Sequence, residues 1–174
     1  MTKKTISNEF MQNIVTEEAW KELSESFPWS ESTLEKCQDK LDWDLVSSNN
    51  CIHWSIPMIE KYQKKINWDK LSAVLDEDML TETMIEAFKN KWNWQELSDN
   101  HRLNLSHELL EKYADKWDWG RIINRYGLEL FSNKGIDFYE RYKDYISVSK
   151  LQDSILWGEI ICQEKKQLIE SISA

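Results

Sequence analysis

Apolar residues along this chain recur with the period of an α-helix. In three successive stretches, four apolar residues stand at offsets of 0, 1, 4 and 8. At about 100° per residue these offsets occupy an arc of roughly 100°, which predicts one buried stripe on each of three helices. The stretches are Met58, Ile59, Tyr62 and Ile66; Met84, Ile85, Phe88 and Trp92; and Leu109, Leu110, Tyr113 and Trp117.

Two further markers return at nearly constant intervals. A large apolar residue followed by Ser or Thr recurs with spacings of 25, 26 and 25 residues, and tryptophan recurs with the same spacings. Two markers that keep one period indicate a tandem repeat. The first marker lies at Trp29-Ser30, Trp54-Ser55, Leu80-Thr81 and Leu105-Ser106, and the second at Trp43, Trp68, Trp94 and Trp119.

Each repeat is predicted to hold a first helix and a shorter second helix. Hydroxyl residues at positions 30, 55, 81 and 106 are placed to cap the first helix, which we expect to end at Lys40, Lys65, Lys91 or Lys116. An Asp or Asn then caps the second helix, which begins with the tryptophan. The second-helix caps are Asp42, Asn67, Asn93 and Asp118.

A unit of this size cannot bury its own apolar face, so neighbouring copies must stack. The predicted fold is therefore all-α: a small α-solenoid or a stack of short helix-turn-helix repeats with a helical C-terminal cap. We expect one domain over 1–174. Its predicted parts are an N-terminal cap unit at 1–28, regular repeats at 29–125, a divergent repeat at 126–148 and the C-terminal cap at 149–174.

The N-terminal cap unit departs from the regular pattern, as terminal units of repeat arrays usually do. Phe10, Met11 and Ile14 can share one helical face with Trp20. The C-terminal cap carries apolar residues from Leu151 to Ile169, which predict one long or two short amphipathic helices.

The fourth repeat contains Glu111-Lys112-Tyr113 followed by Asp115-Lys116-Trp117-Asp118-Trp119. This stretch resembles the tandem Trp-rich repeats of about 25 residues that occur in uncharacterised bacterial and viral proteins. The resemblance covers roughly Phe27 to Asn124, and Cys37 and Leu41 depart from the aromatic or Ile residues of the pattern. It implies a repeat scaffold and offers no catalytic residues.

The chain carries a formal charge of −9, which argues against nucleic acid as the partner and favours a basic protein. The alternative is that the acidity only keeps the protein in solution. Positions 76 to 99 contain seven carboxylates and two lysines, which gives this segment a net charge of −5. The predicted partner-binding residues are Asp76, Glu77, Asp78, Glu82, Glu86, Glu96 and Asp99.

A second acidic set occupies equivalent positions opposite the apolar stripes. We interpret this set as a solvated face that is partly offset by neighbouring cations. The acidic residues are Glu35, Glu60, Glu86, Glu111 and Glu140, and the cations are Lys36, Lys61, Lys112 and Arg141.

Candidate chemistry is sparse in this sequence. Cys51 and His53 form a single weak pair of metal ligands, Cys37 falls on an apolar helix face, and no nucleophile motif or glycine-rich phosphate loop occurs. The periodic tryptophans are interpreted as core residues instead of a stacking platform for ligands. We therefore expect no catalytic residues, no cofactor and no metal, and the protein is not expected to be an enzyme.

No run of about 20 apolar residues occurs, and the odd number of cysteines fits a reducing compartment, so we expect a cytoplasmic protein that does not associate with membranes. The leading hypothesis is a non-enzymatic protein-binding repeat protein. Its sharpest form is an acidic immunity or antitoxin-like inhibitor of a basic nuclease toxin. The alternatives are a general scaffolding module related to larger repeat proteins and a carboxylate-dependent hydrolase.

Overall fold

The computed structural model describes residues 8–76 and 78–173, and over these residues the fold consists of helices and turns with no strand. The all-α prediction is confirmed. In chain order the helices are α1 (Glu9–Ser26), α2 (Glu31–Cys37), α3 (Trp43–Ser48), α4 (Ile56–Tyr62), α5 (Trp68–Val74), α6 (Glu82–Ala87), α7 (Trp94–Asp99), α8 (His107–Lys112), α9 (Trp119–Ile122), α10 (Gly135–Tyr142), α11 (Val148–Leu151) and α12 (Ile155–Ser173).

The chain divides into two compact units, Met1–Trp92 and Asn93–Ala174. In the first unit α3 packs against both α1 and α5. In the second unit α7 packs against α9, and α10 packs against α12. Gly135 permits the second of these contacts, because a Cβ at this position would lie 2.9 Å from the backbone nitrogen of Ile160. Within each unit, the second helices of successive repeats thus pack on one another.

The predicted N-caps are confirmed in every regular repeat. Each hydroxyl cap of a first helix accepts a hydrogen bond from the backbone N–H three residues further on. This N–H belongs to the first turn, where the helix itself provides no acceptor. The Asp and Asn caps of the second helices do the same, and all four of these helices begin at the tryptophan.

The first helices are shorter than predicted. They end at Cys37, Tyr62, Ala87 and Lys112, so the prediction that they reach the lysines is wrong. The chain instead turns, and the lysine ammonium lies over the tryptophan of the preceding second helix in a cation–π contact. The distances from Nζ to the ring centroid are 5.3 Å for Lys40 and Trp20, 5.4 Å for Lys65 and Trp43, and 5.7 Å for Lys116 and Trp94.

The tryptophans of the second helices are less buried than a core prediction implies. Only Trp119 is fully buried; Trp43, Trp68 and Trp94 are half-buried. The indole N–H donates to a backbone carbonyl just beyond the first helix of the same repeat, at 3.0 Å for Trp43 and Gln38 and 3.2 Å for Trp68 and Gln63. Tryptophan suits this position because it combines a large apolar ring with a hydrogen-bond donor.

A completely buried serine stands four residues after Trp20, Trp43, Trp68 and Trp94, and its hydroxyl donates to the carbonyl of that tryptophan. Three of these hydroxyls also accept a hydrogen bond from the backbone N–H of the next second-helix N-cap. This recurring hydrogen bond between repeats fixes their register. The N–H to Oγ distances are 3.1 Å for Asp42 and Ser24, 2.9 Å for Asn67 and Ser47, and 2.9 Å for Asp118 and Ser98.

Asn49 makes a second connection between repeats. Its buried amide Nδ2 donates to the carbonyls of Ser24 and Phe27, at 3.0 and 2.9 Å, and its Oδ1 accepts from the backbone N–H of Cys51. Asn100 and Arg125 stand at the corresponding positions, six residues after Trp94 and Trp119. Asn100 likewise accepts at Oδ1 from the backbone N–H two residues on, that of Arg102, whereas Arg125 makes a different contact. Its Nη2 donates to the Leu103 carbonyl at 2.8 Å.

Arg125 is only 4% exposed, and its Nη1 atom has no hydrogen-bond partner among the described residues. Burial lowers the pKa of the Arg125 guanidinium, and the charge of Asp99 acts in the opposite direction. A buried guanidinium with an unpaired nitrogen is destabilising relative to a fully paired one. The contact that Arg125 makes is therefore less well paired than the one that Asn49 makes.

The terminal helices differ from the regular repeats. The C-terminal cap from 155 onward is one long helix, α12, which is one of the two predicted arrangements. In α1, Trp20 is half-buried, whereas Phe10, Met11 and Ile14 are exposed. The predicted shared face therefore does not form part of the core. These three residues lie in the first turns of α1, whereas Ser24, which is buried, lies near the other end of the helix.

Candidate functional site

The predicted acidic site is distributed over both compact units. Four of its residues belong to the first unit and two to the second, and Glu77 lies outside the described residues. Only the first-unit members near α6 are brought together by local structure. The first-unit residues are Asp76, Asp78, Glu82 and Glu86, and the second-unit residues are Glu96 and Asp99.

The turn before α6 carries the densest part of this set. The backbone carbonyl of Asp76 accepts hydrogen bonds from the N–H groups of Met79 and Leu80, at 3.2 and 2.8 Å. Thr81 then caps α6, whose first residue is Glu82. Asp78 and Glu82 are exposed, whereas Asp76 is half-buried. We call residues 76–82 the acidic turn.

Asp76 has an additional structural constraint. Its Oδ1 atom is buried and has no hydrogen-bond partner among the described residues. A buried carboxylate oxygen without a partner costs stability. Replacing Asp76 with asparagine breaks no described hydrogen bond of that oxygen but changes a buried group, so a melting curve has to accompany any test of its charge.

Other predicted site residues are neutralised by nearby cations. Glu86 lies 2.6 Å from the Lys89 ammonium, and Asp99 lies 2.8 Å from the Arg121 guanidinium. Such exposed pairs contribute little to stability, but they reduce the local negative charge. Glu86 and Asp99 are therefore weaker candidates for contact with a basic partner than the exposed Asp78.

The glutamates opposite the apolar stripes are also paired. Lys61 lies 3.3 Å from Glu35, and Arg141 lies 2.6 Å from Glu111; each pair joins the first helices of successive repeats. Glu140 is paired with Lys143 at 2.8 Å within one turn of chain. These contacts agree with the interpretation of this set as a solvated face that cations offset.

Sequence reasoning missed one polar pair in the second unit. Nδ1 of His107 lies 2.7 Å from the hydroxyl oxygen of Tyr142, and the two rings stack with centroids 5.8 Å apart. Burial raises the pKa of Tyr142 to about 12. Burial also lowers the pKa of His107, with a further contribution from the nearby Arg141. Both groups are therefore uncharged at neutral pH, and one hydrogen bond joins Nδ1 of His107 to the Tyr142 hydroxyl.

The protein is expected to lose stability as the pH falls through the titration range of histidine. Because folding lowers the pKa of His107, the unfolded chain takes up the proton first. Well above a pH of about 6.5 the titration of His107 contributes nothing to the stability of the fold, and below this pH it destabilises the fold. Melting temperatures between about pH 7.5 and 5.5 test this.

A His107→Gln variant should show a weaker pH dependence than the wild type, because glutamine can accept the hydrogen bond and cannot titrate. His101→Gln is the matched control, since His101 is exposed. Equal slopes for the wild type and His107→Gln would contradict the assignment.

The cysteines and histidines do not form a metal-binding cluster within residues 8–76 and 78–173. Cys51 and Cys162 are exposed. Cys37 is half-buried, so its predicted place on a buried face is only partly correct.

Two open clefts lie beside tryptophans of the second-helix series. One, of about 430 Å³, lies in the first unit between Trp20 and Lys40. Another of about 430 Å³ lies in the second unit, where Tyr145 stacks on Trp119 with centroids 5.3 Å apart. Tyr145 here takes the place that a lysine occupies over the other tryptophans. These clefts were not foreseen, because each depends on contacts between repeats.

Comparison with known proteins gives no relative, since no family model, curated protein or solved structure matches the chain. Among the described helices, none has both the length and the apolar character needed to cross a membrane.

Proposed function

We propose that this chain is a non-enzymatic helical repeat protein of the cytoplasm that binds a basic protein through the acidic turn. The observation that carries the proposal is the contrast between this turn and the other acidic positions. Asp78 is exposed next to the half-buried Asp76, whereas Glu35, Glu111 and Asp99 are paired with cations of a neighbouring repeat.

The repeat architecture supports this role. Successive second helices pack on one another within each unit, as in a small solenoid, and such stacks present extended surfaces to protein partners. The likeness to Trp-rich repeats also favours a scaffold. A net charge of −9 adds long-range attraction to a basic partner and accelerates its encounter with the acidic turn.

The sharpest form of the proposal is an immunity or antitoxin-like inhibitor of a nuclease toxin. A nuclease active site is basic because it binds phosphates, and a small acidic protein can cover it. A general scaffold would use the same surface without inhibiting an enzyme.

Capture from a lysate of the native host, followed by mass spectrometry, tests the proposal. The wild type should retain a basic protein that a charge-neutralised variant retains poorly. If that protein is a nuclease, one equivalent of the wild type should abolish its activity. A captured protein without nuclease activity would favour the scaffold, and capture of no basic protein would contradict both forms.

Neutralising the acidic turn is expected to slow association with the captured protein while leaving stability nearly unchanged. The variant is Asp76→Asn, Glu77→Gln and Asp78→Asn. Charges at the rim of a protein–protein interface act mainly on the association rate. We therefore expect the association rate constant to fall about tenfold at low salt and to depend less on salt concentration. Association kinetics at two salt concentrations and a melting curve provide the measurement.

A control variant removes the same charges from the second unit. Asp115, Glu129 and Asp153 are exposed and match the replaced residues in type. Their replacement by Asn, Gln and Asn removes the same number of negative charges but at a different place, so it should change the association rate much less. Equal rates for the two variants would show that overall charge is responsible and that the acidic turn is not the site.

A further inference from the structure

The two terminal helices each carry exposed apolar residues. On α1, Val15 is 48% exposed, and Met11 is exposed to a similar degree. On α12, Leu168 is 54% and Ile172 is 82% exposed. Terminal units of stacked repeats ordinarily present a polar outer face. Apolar residues on both terminal helices therefore require an explanation.

The two exposed faces have the same spacing. A seam of four residues on α1 and a seam of four residues on α12 both advance by 4, 3 and 4 positions. At about 100° per residue each seam occupies an arc of roughly 60°, which is the geometry of a contact between paired helices. The seams are Met11, Val15, Glu18 and Glu22 on α1, and Ile161, Lys165, Leu168 and Ile172 on α12.

Each seam lies away from the side by which its helix packs. Ser24 is buried on α1 and Leu156 is buried on α12. The seam residues Met11 and Ile161 are each rotated by about 140° from these buried positions. The seams are thus available without any rearrangement of the fold.

We propose that α1 of one copy pairs with α12 of a second copy in antiparallel orientation. This alignment places two apolar residues of each seam in contact and sets a lysine against a glutamate. The facing residues are Met11 and Ile172, Val15 and Leu168, Glu18 and Lys165, and Glu22 and Ile161.

The distribution of charge selects this pairing over the others. A parallel α1–α12 pair would place Lys165 against Val15 and Glu18 against Leu168, so both charges would face apolar residues. A pair of α1 helices would place Glu18 against Glu18 if parallel and against Val15 if antiparallel. A pair of α12 helices would place Lys165 against Lys165 if parallel and against Leu168 if antiparallel. Unpaired or like charges at a helix contact are unfavourable. The antiparallel α1–α12 pair is the arrangement that sets Glu18 against an opposite charge, and only Glu22, at the end of the contact, then faces an apolar residue, Ile161.

The Glu18 carboxylate does make one contact already, to Lys21 at 3.0 Å. Both side chains are more than half exposed, so this pair contributes little and does not prevent a contact with Lys165. The first turns of α1 would also gain support, because a helical segment that packs on nothing is marginally stable in water.

The contact joins different surfaces of the two copies, so each dimer still has one free α1 seam and one free α12 seam. Such heterologous contacts produce rings or open chains of copies. The contact covers about three helical turns, less than the roughly 1,600 Å² of a standard stable interface, so we expect a dissociation constant on the order of 100 µM.

Sedimentation of two half-blocked variants tests the pairing; in each of them serine replaces two apolar residues of one seam and the other seam is intact. The first variant carries Met11→Ser and Val15→Ser, and the second carries Leu168→Ser and Ile172→Ser. The wild type should show a mass that rises with concentration, and each variant alone should stay monomeric. An equimolar mixture should form dimers and nothing larger, because one intact α1 seam meets one intact α12 seam.

A charge exchange tests the register. Glu18→Lys alone and Lys165→Glu alone should each weaken association about tenfold, and the variant with both changes should restore it. Melting curves verify that the exposed substitutions leave the fold intact. A wild type that is monomeric at about 1 mM, self-association of either half-blocked variant, no dimer in the mixture, or no restoration by the double exchange would each overturn the proposal.

Discussion

Replacing Trp68 or Trp94 with alanine is expected to lower the free energy of unfolding by about 3 kcal/mol. The Trp68 ring packs against Phe88 and Trp92, with centroid distances of 5.5 and 5.2 Å. Trp94 packs in the same way against Tyr113 and Trp117, at 5.0 and 4.9 Å. Because both tryptophans are half-buried, the expected loss lies at the lower end of the range for large aromatic truncations.

Equilibrium denaturation by urea measures this loss. Trp68→Phe separates the two contributions of the residue, since it keeps a ring and removes the donor to the Gln63 carbonyl; we expect a smaller loss of about 1 kcal/mol beyond the change in ring size. Tyr126→Ala is the control, because Tyr126 is 83% exposed and should change stability by less than about 0.5 kcal/mol. Losses as small as this at both tryptophans would show that these rings do not hold the repeats together.

Replacing Asn49 with alanine is expected to cost about 2 to 3 kcal/mol. The substitution leaves the carbonyls of Ser24 and Phe27, and the N–H of Cys51, without the partner that Asn49 provides. Asn49→Asp should be at least as harmful, because a carboxylate keeps the shape and repels the two carbonyl oxygens.

Urea denaturation of Asn49→Ala beside Asn50→Ala provides the measurement, since Asn50 is adjacent and exposed. Similar stabilities of these two variants would contradict the assigned role of Asn49.

The start of each helix could be predicted from the sequence because an N-cap is a local feature. The hydroxyl of Ser55 reaches the N–H of Met58 only three residues away, so the residue types reveal the contact. The end of the first helix could not be predicted in this way. It depends on Lys65 reaching over Trp43, which lies in the preceding repeat and is 22 residues distant.

The acidic site was only partly predictable for the same reason. A count of charges along the chain places Asp99 in the acidic set but does not reveal its pairing with Arg121, 22 residues later. It also cannot show that Glu96 belongs to a different compact unit from Asp78. The pair of His107 and Tyr142 spans 35 residues, and its local signal was a histidine directly after a cap, where an N-terminal helix position ordinarily favours an acidic residue.

The serine contact between repeats has a consequence for how such a chain can change in length. On one side it uses a side chain, Ser47 for example, and on the other it uses only the backbone N–H of Asn67. Every amino acid except proline provides that N–H, so the joint places almost no demand on the residue that receives it. A gene duplication that added a whole repeat would therefore bring its own serine and form this hydrogen bond with both neighbours. A deletion that removed one repeat would let the repeats on either side form the same hydrogen bond with each other.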